Sequence, residues 1–97
     1  MIPVVYKPKQ IEINTTPQQI VGYDPARDTL VLSNLTGAIM YWGVDSELSI
    51  ANGAPVFNNG RVEFNRTNGR DPRISRWLVL AAGSGTVSVD EESIGEI

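Results

Sequence analysis

Turn-forming residues are spread so evenly through this chain that no window of helix length escapes one. Nine glycines and six prolines fall among 97 residues, and three Asn-Gly steps mark sharp reversals at Asn52-Gly53, Asn59-Gly60 and Asn68-Gly69. Nowhere do apolar residues recur at helical spacing across three turns. What remains possible is a set of short strands. The spacing of the turn signals predicts about 7–9 antiparallel strands in one all-β domain, a small β-sandwich or jelly-roll-like fold, with a small barrel as the other closed solution.

Residues 1–10 read as an extended N-terminal arm, because Pro3 and Pro8 each remove a backbone donor and push the preceding residue towards extended conformations. Val4, Val5 and Tyr6 give that arm an apolar surface to lay on a partner. Alternation starts at Ile11 and Ile13, and the sandwich domain is predicted over 11–91. Gln18 to Gly22 forms a short second strand. Thr29 to Leu35 and Ala38 to Val44 are apolar runs joined by Thr36-Gly37, which suits a hairpin. Leu48 to Ala51 suits a short edge strand. Pro55 to Asn58 and Arg61 to Asn65 suit a second hairpin, with Val62 and Phe64 inward and Arg61 and Glu63 outward. Asn65 to Ser75 is the longest loop, Arg76 to Ala82 another strand, and Thr86 to Asp90 a last one with Val87 and Val89 inward. Residues 92–97 end the chain as an acidic tail.

The chain has no histidine and no cysteine. That removes the usual acid–base group near neutral pH, the commonest metal ligand, disulfides and thiolate chemistry, so no enzyme, metal or cofactor is expected. A formal net charge of −3 argues against nucleic acid as the main partner. The longest apolar stretch, Trp77 to Ala82, is far short of the ~20 residues that cross a bilayer, so no membrane association is expected either. Synthesis in a cytoplasm is the expectation.

Charge is distributed unevenly. Five of the eight basic residues, Arg61, Arg66, Arg70, Arg73 and Arg76, fall within sixteen positions, whereas Asp90, Glu91, Glu92 and Glu96 crowd the C-terminus. Arg66, Arg70, Arg73, Asp90, Glu91 and Glu92 are therefore candidate partner-binding residues alongside Val4, Val5 and Tyr6, since complementary charge sets register and partner choice. The bland alternative is a solvated loop and a frayed tail. Base stacking by these arginines would need interleaved aromatics, but Phe64 and Trp77 flank the cluster at positions read as inward-facing. Asp45 and Glu47 lack the glycine-centred acidic loop of a calcium site and read as solvated edge charges. In the pair Tyr41-Trp42, neighbours on a strand face opposite ways. The sequons at Asn14, Asn34 and Asn65 read as chance matches, and the tripeptide Asn68-Gly69-Arg70 as ordinary turn sequence.

The order of pieces carries a resemblance. Ile13-Asn14-Thr15-Thr16-Pro17 is followed by Asp24-Pro25-Ala26-Arg27, then Leu30-Val31-Leu32-Ser33-Asn34, Tyr41-Trp42-Gly43, Asn52-Gly53 and Leu78 to Val89. This succession resembles small structural proteins of tailed bacteriophages and covers residues 11 to 91. The resemblance implies a non-enzymatic β-sandwich virion protein without cofactors. Its leading form is a capsid decoration (cement) protein, a homo-oligomer that binds the major capsid protein or another virion protein and stabilises the lattice. The alternative form is a fibre or tail-tip adhesin that binds a host-surface glycan or protein through exposed aromatics such as Tyr41 or Trp42. The resemblance places the protein in the virion.

Overall fold

A computed structural model describes residues 4–94 of the chain. Eight strands follow in order: β1 (Val4–Ile13), β2 (Gln18–Val21), β3 (Arg27–Leu35), β4 (Met40–Gly43), β5 (Ala54–Val56), β6 (Arg61–Asn65), β7 (Arg76–Leu80) and β8 (Gly85–Ile94). They form two antiparallel four-stranded sheets, ordered β1-β8-β3-β6 and β2-β7-β4-β5, and no helix occurs among the described residues. The all-β sandwich expected from the turn spacing is the observed fold.

The topology is that of a jelly roll. Strands pair from the outside inward, β1 with β8, β2 with β7, β3 with β6 and β4 with β5, as in one long ribbon folded between β4 and β5 and rolled so that its rungs fall alternately in the two sheets. The two predicted hairpins are therefore corrected. Thr36-Gly37 carries the chain from β3 in one sheet to β4 in the other, and Asn59-Gly60 does the same from β5 to β6. A turn residue licenses a reversal of direction, and packing decides whether the chain returns beside itself or crosses to the facing sheet. Leu48 to Ala51 is also not a strand. It belongs to a turn-rich segment in which Leu48, 5% exposed, packs against the outside of the second sheet.

Alternation places the core. Ile13, Leu30, Leu32, Phe64, Val87 and Val89 from the first sheet meet Ile20, Met40, Val56, Leu78 and Leu80 from the second, most of them without measurable exposure. Each such side chain contributes about 1.5–3 kcal/mol by leaving water. Val62 and Trp42 close the cluster at its margin. Tyr41, Trp77 and Val79 lie at the alternate positions of β4 and β7 and face outward. Trp77, read from the sequence as inward-facing, is thereby corrected, since Arg76 takes the inward position next to it.

The expected arm and acidic tail meet each other. Residues 4–10 are the first part of β1 and residues 92–94 the last part of β8, in unbroken antiparallel register from Val4 opposite Ile94 to Ile13 opposite Gly85. The reading of 4–10 as an arm awaiting a surface is corrected, because the backbone groups on one side of β8 find their partners in β1 while β3 covers the other side. Residues 1–3 and 95–97, the remainder of both predicted segments, lie outside the described residues.

Candidate functional site

The loop from 66 to 75 is built on asparagine side chains. Asn65 Oδ1 accepts from the Thr67 and Asn68 amides, both at 2.9 Å, and from Thr67 Oγ1 at 2.7 Å, which closes a tight turn at the end of β6. Asn68 then folds back on the strand. Hydrogen bonds between Asn34 and the Asn59-Gly60 backbone fix which residues of β3 face β6, leaving the amides and carbonyls of Arg61, Glu63 and Asn65 on the open edge. Asn68 Oδ1 accepts from the Asn65 amide at 3.3 Å, and Asn68 Nδ2 donates to the Glu63 carbonyl at 2.9 Å. One side-chain amide thus occupies the edge as an added strand would.

Two buried arginines hold the loop from beneath. Arg27, 3% exposed, donates from Nε to Glu91 Oε1 at 2.7 Å, from Nη1 to the Pro72 carbonyl at 3.2 Å and from Nη2 to the Gly22 carbonyl at 3.0 Å. Arg76, also 3% exposed, donates to the carbonyls of Asp71 at 2.8 Å and Ile74 at 2.9 Å, and its guanidinium carbon lies 4.1 Å from the Phe64 ring centroid and 5.5 Å from that of Trp42. Trp42 and Phe64 meet edge to face at 4.8 Å. Burial pushes Arg76 below its ordinary pKa, Asp71 opposes the shift and Arg27 adds to it. Arg76 forms no ion pair among the described residues, so carbonyl dipoles and aromatic faces stabilise its charge.

The predicted partner-binding residues separate into three groups. Arg66 pairs with Asp28 at 3.1 Å and Arg73 with Asp71 at 2.9 Å, both at the surface of the same chain. The Arg73 hydrogen bonds hold the Asp71 carboxyl at about 2, below its ordinary 3.8. Arg70 is exposed, and its guanidinium makes no ion pair among the described residues. In the acidic segment Glu91 faces the interior and serves Arg27, with Lys9 Nζ at 4.0 Å, while Asp90 lies half-buried on the outer face and Glu92 is exposed. Val4, Val5 and Tyr6 stand in β1 opposite Ile94, Ser93 and Glu92.

Sequence reasoning missed Arg27 and misplaced Arg76. Arg76 shares the parity of Leu78 and Leu80, a signal that marked it as inward-facing. Arg27 closes the Asp24-Pro25-Ala26-Arg27 turn, where the Ala26 amide donates to Asp24 Oδ1, and an irregularity before Thr29 obscures its alternation.

Two concavities adjoin this loop and share Arg70. One, about 300 Å³, is walled by Asn65, Arg66, Arg70 and Arg73; the other, about 400 Å³, lies at the open side of the sandwich between β5 and β6 and is walled by Trp42, Pro55, Phe57, Arg61, Glu63 and Arg70. Phe57 is 65% exposed and Trp42 half-buried. On the outer face of the second sheet, Tyr41 and Trp77 are half-buried, and Leu48 and the exposed Ile50 line a concavity with Val79, giving that face a largely apolar character. Asp45 Oδ1 accepts from the Glu47 amide at 3.0 Å, a local turn, and no group of three or more metal-binding side chains occurs among the described residues. Asn34, in one of the sequons, is completely buried.

No protein-family model matches the chain, and no curated protein matches it. Among solved structures it is similar to a chain from Bacillus endospore appendages, described as a novel family of disulfide-linked pili, with a TM-score of 0.55 and 11% identity over 99% of this chain and 92% of that one. The likeness extends to the fold. Disulfide linkage has no counterpart here, because the sequence contains no cysteine. The resemblance to tailed-phage virion proteins finds no counterpart in these comparisons.

Proposed function

We propose that this protein is a non-enzymatic structural subunit that works by packing its faces against other protein surfaces in a repetitive assembly outside the cell or on a particle. The observation that carries the reading is the apolar outer face of the second sheet, where Tyr41 and Trp77 are half-buried and Ile50 stands exposed beside Val79. Exposed apolar groups gathered on one face of a small domain mark a contact surface. The fold shared with an appendage subunit supports the same reading.

Sheet edges contribute little to such an assembly. Pro8 interrupts the outer edge of β1, Pro55 that of β5, a register shift distorts β2 at Gln19–Val21, and Asn68 caps β6. Within this reading the finer assignment is a capsid decoration protein, with Arg70 and Glu92 as the charged residues left at the surface to fix register on a partner.

The test is light scattering and electron microscopy of the purified chain over a concentration series, beside Tyr41→Ser and Ile50→Asp variants. Oligomers or polymers that the two variants abolish are the expected result. A chain that stays monomeric throughout, and does not co-sediment at a fixed ratio with capsids lacking it, overturns the reading. Saturable capsid binding selects the decoration role.

A further inference from the structure

We infer that the two concavities that meet at Arg70 form a binding site for an acidic oligosaccharide. This site shares Arg70 with the decoration reading but none of Tyr41, Ile50 or Trp77, so its test is separate from that of the apolar face.

Its two halves supply complementary chemistry. Phe57, with its ring exposed, and Trp42 line the half between β5 and β6. The face of an aromatic ring carries negative potential and accepts the C–H face of a pyranose. Arg61 and Glu63 stand along the same half, planar groups suited to paired hydroxyls. The other half is walled by Arg66, Arg70 and Arg73, and Asp71 is its acid. Arg66 and Arg73 are committed to Asp28 and Asp71, which leaves the Arg70 fork at the junction for an incoming carboxylate. Arginine recognises a carboxylate with two parallel hydrogen bonds. Beneath, Arg27 and Arg76 outnumber Glu91 among the buried charges and add to the positive field.

The backbone argues against a peptide in this place. A peptide in an open groove between edge strands draws its affinity from main-chain hydrogen bonds. Here β5 offers Pro55, and on β6 the amide of Asn65 and carbonyl of Glu63 are taken by Asn68, which reduces the open main-chain ladder to the neighbourhood of Arg61. Recognition falls to side chains, and the side chains present are rings and guanidinium groups. Open at the surface, the groove suits a stretch of polymer.

The experiment uses the full chain carrying Trp77→Phe, so that Trp42 alone reports by fluorescence. Oligogalacturonate tetramers, neutral maltotetraose and a poly-glutamate peptide are titrated at low salt. Saturable change is expected with the acidic sugar, with affinity about tenfold or more above that for the neutral sugar or the peptide. Arg70→Ala and Phe57→Ala, both exposed side chains whose removal leaves the circular dichroism unchanged, each weaken it about tenfold or more. Absence of saturable binding, equal binding of poly-glutamate, or indifference to both substitutions overturns the inference.

Discussion

Arg27 Nε lies 2.7 Å from Glu91 Oε1, and the two residues, 64 positions apart in sequence, are 3% and 8% exposed. The same guanidinium reaches the carbonyls of Gly22 and Pro72, so one side chain joins β3, β8, the turn after β2 and the arginine loop. Ion pairs of this kind repay their desolvation best when further hydrogen bonds satisfy the charged groups, as the Gly22 and Pro72 carbonyls do for Arg27.

Removing one partner of the pair is therefore costly. Arg27→Met is expected to destabilise the fold by about 3–5 kcal/mol by leaving Glu91 with only Lys9 nearby, and the Arg27→Met/Glu91→Leu double variant recovers part of that loss. Urea denaturation measures both; a single-variant cost below about 1 kcal/mol shows that water compensates Glu91.

Asn34 is a second buried node. Its Nδ2 donates to the Ala38 carbonyl at 2.7 Å and the Val56 carbonyl at 2.8 Å, while Oδ1 accepts from the Thr36 amide at 3.0 Å. Asn34→Leu preserves bulk but strands the Val56 carbonyl and the Thr36 amide and leaves the Ala38 carbonyl only Thr36 Oγ1 at 3.2 Å, and a loss of about 2–3 kcal/mol is expected on thermal or chemical unfolding. An unchanged midpoint shows that the three backbone groups find other partners.

Capping of β6 by Asn68 predicts a change in solution behaviour more than in stability. Asn68→Ala costs about 1 kcal/mol and opens an edge bounded by Phe64 and Val62 on the inner face, so concentration-dependent association is expected in sedimentation velocity. A variant that sediments as the parent does shows that the edge charges Arg61 and Glu63 suffice for protection.

The Asp71 carboxyl is held at about 2 by Arg73. A carboxyl with a depressed folded-state pKa contributes stability above its unfolded value, and that contribution fades as pH falls from about 4 towards 2. A carbon-detected NMR titration is expected to give a midpoint near 2 for Asp71, with return towards the ordinary 3.8 in Arg73→Ala. A midpoint unchanged by that substitution removes Arg73 as the cause.

Much of the burial pattern was legible in the sequence. Val62 and Phe64, and Val87 and Val89, alternate with polar neighbours, and all except the half-buried Val62 are buried in the fold. Arg76 to Ala82 instead reads as apolar on both faces, and its Leu78, Val79 and Leu80 are all buried. The arginine cluster was legible as a loop, with Arg70 at its surface. Its meaning was not, because Arg76 enters the core beside Phe64 while Arg66 and Arg73 spend their charge on acids of the same chain.

The sequence by itself determined that the chain is built of short strands, where it turns, and which face of most strands is apolar, because these follow from the rotation of neighbouring side chains and the permitted values of φ. Only the tertiary structure decided that β1 belongs beside β8, that Thr36-Gly37 and Asn59-Gly60 cross between sheets, and that Arg27 meets Glu91. Alternation states that a face must leave water and is silent on what covers it; that choice is made by contacts between residues far apart in the chain, once the whole ribbon has rolled closed.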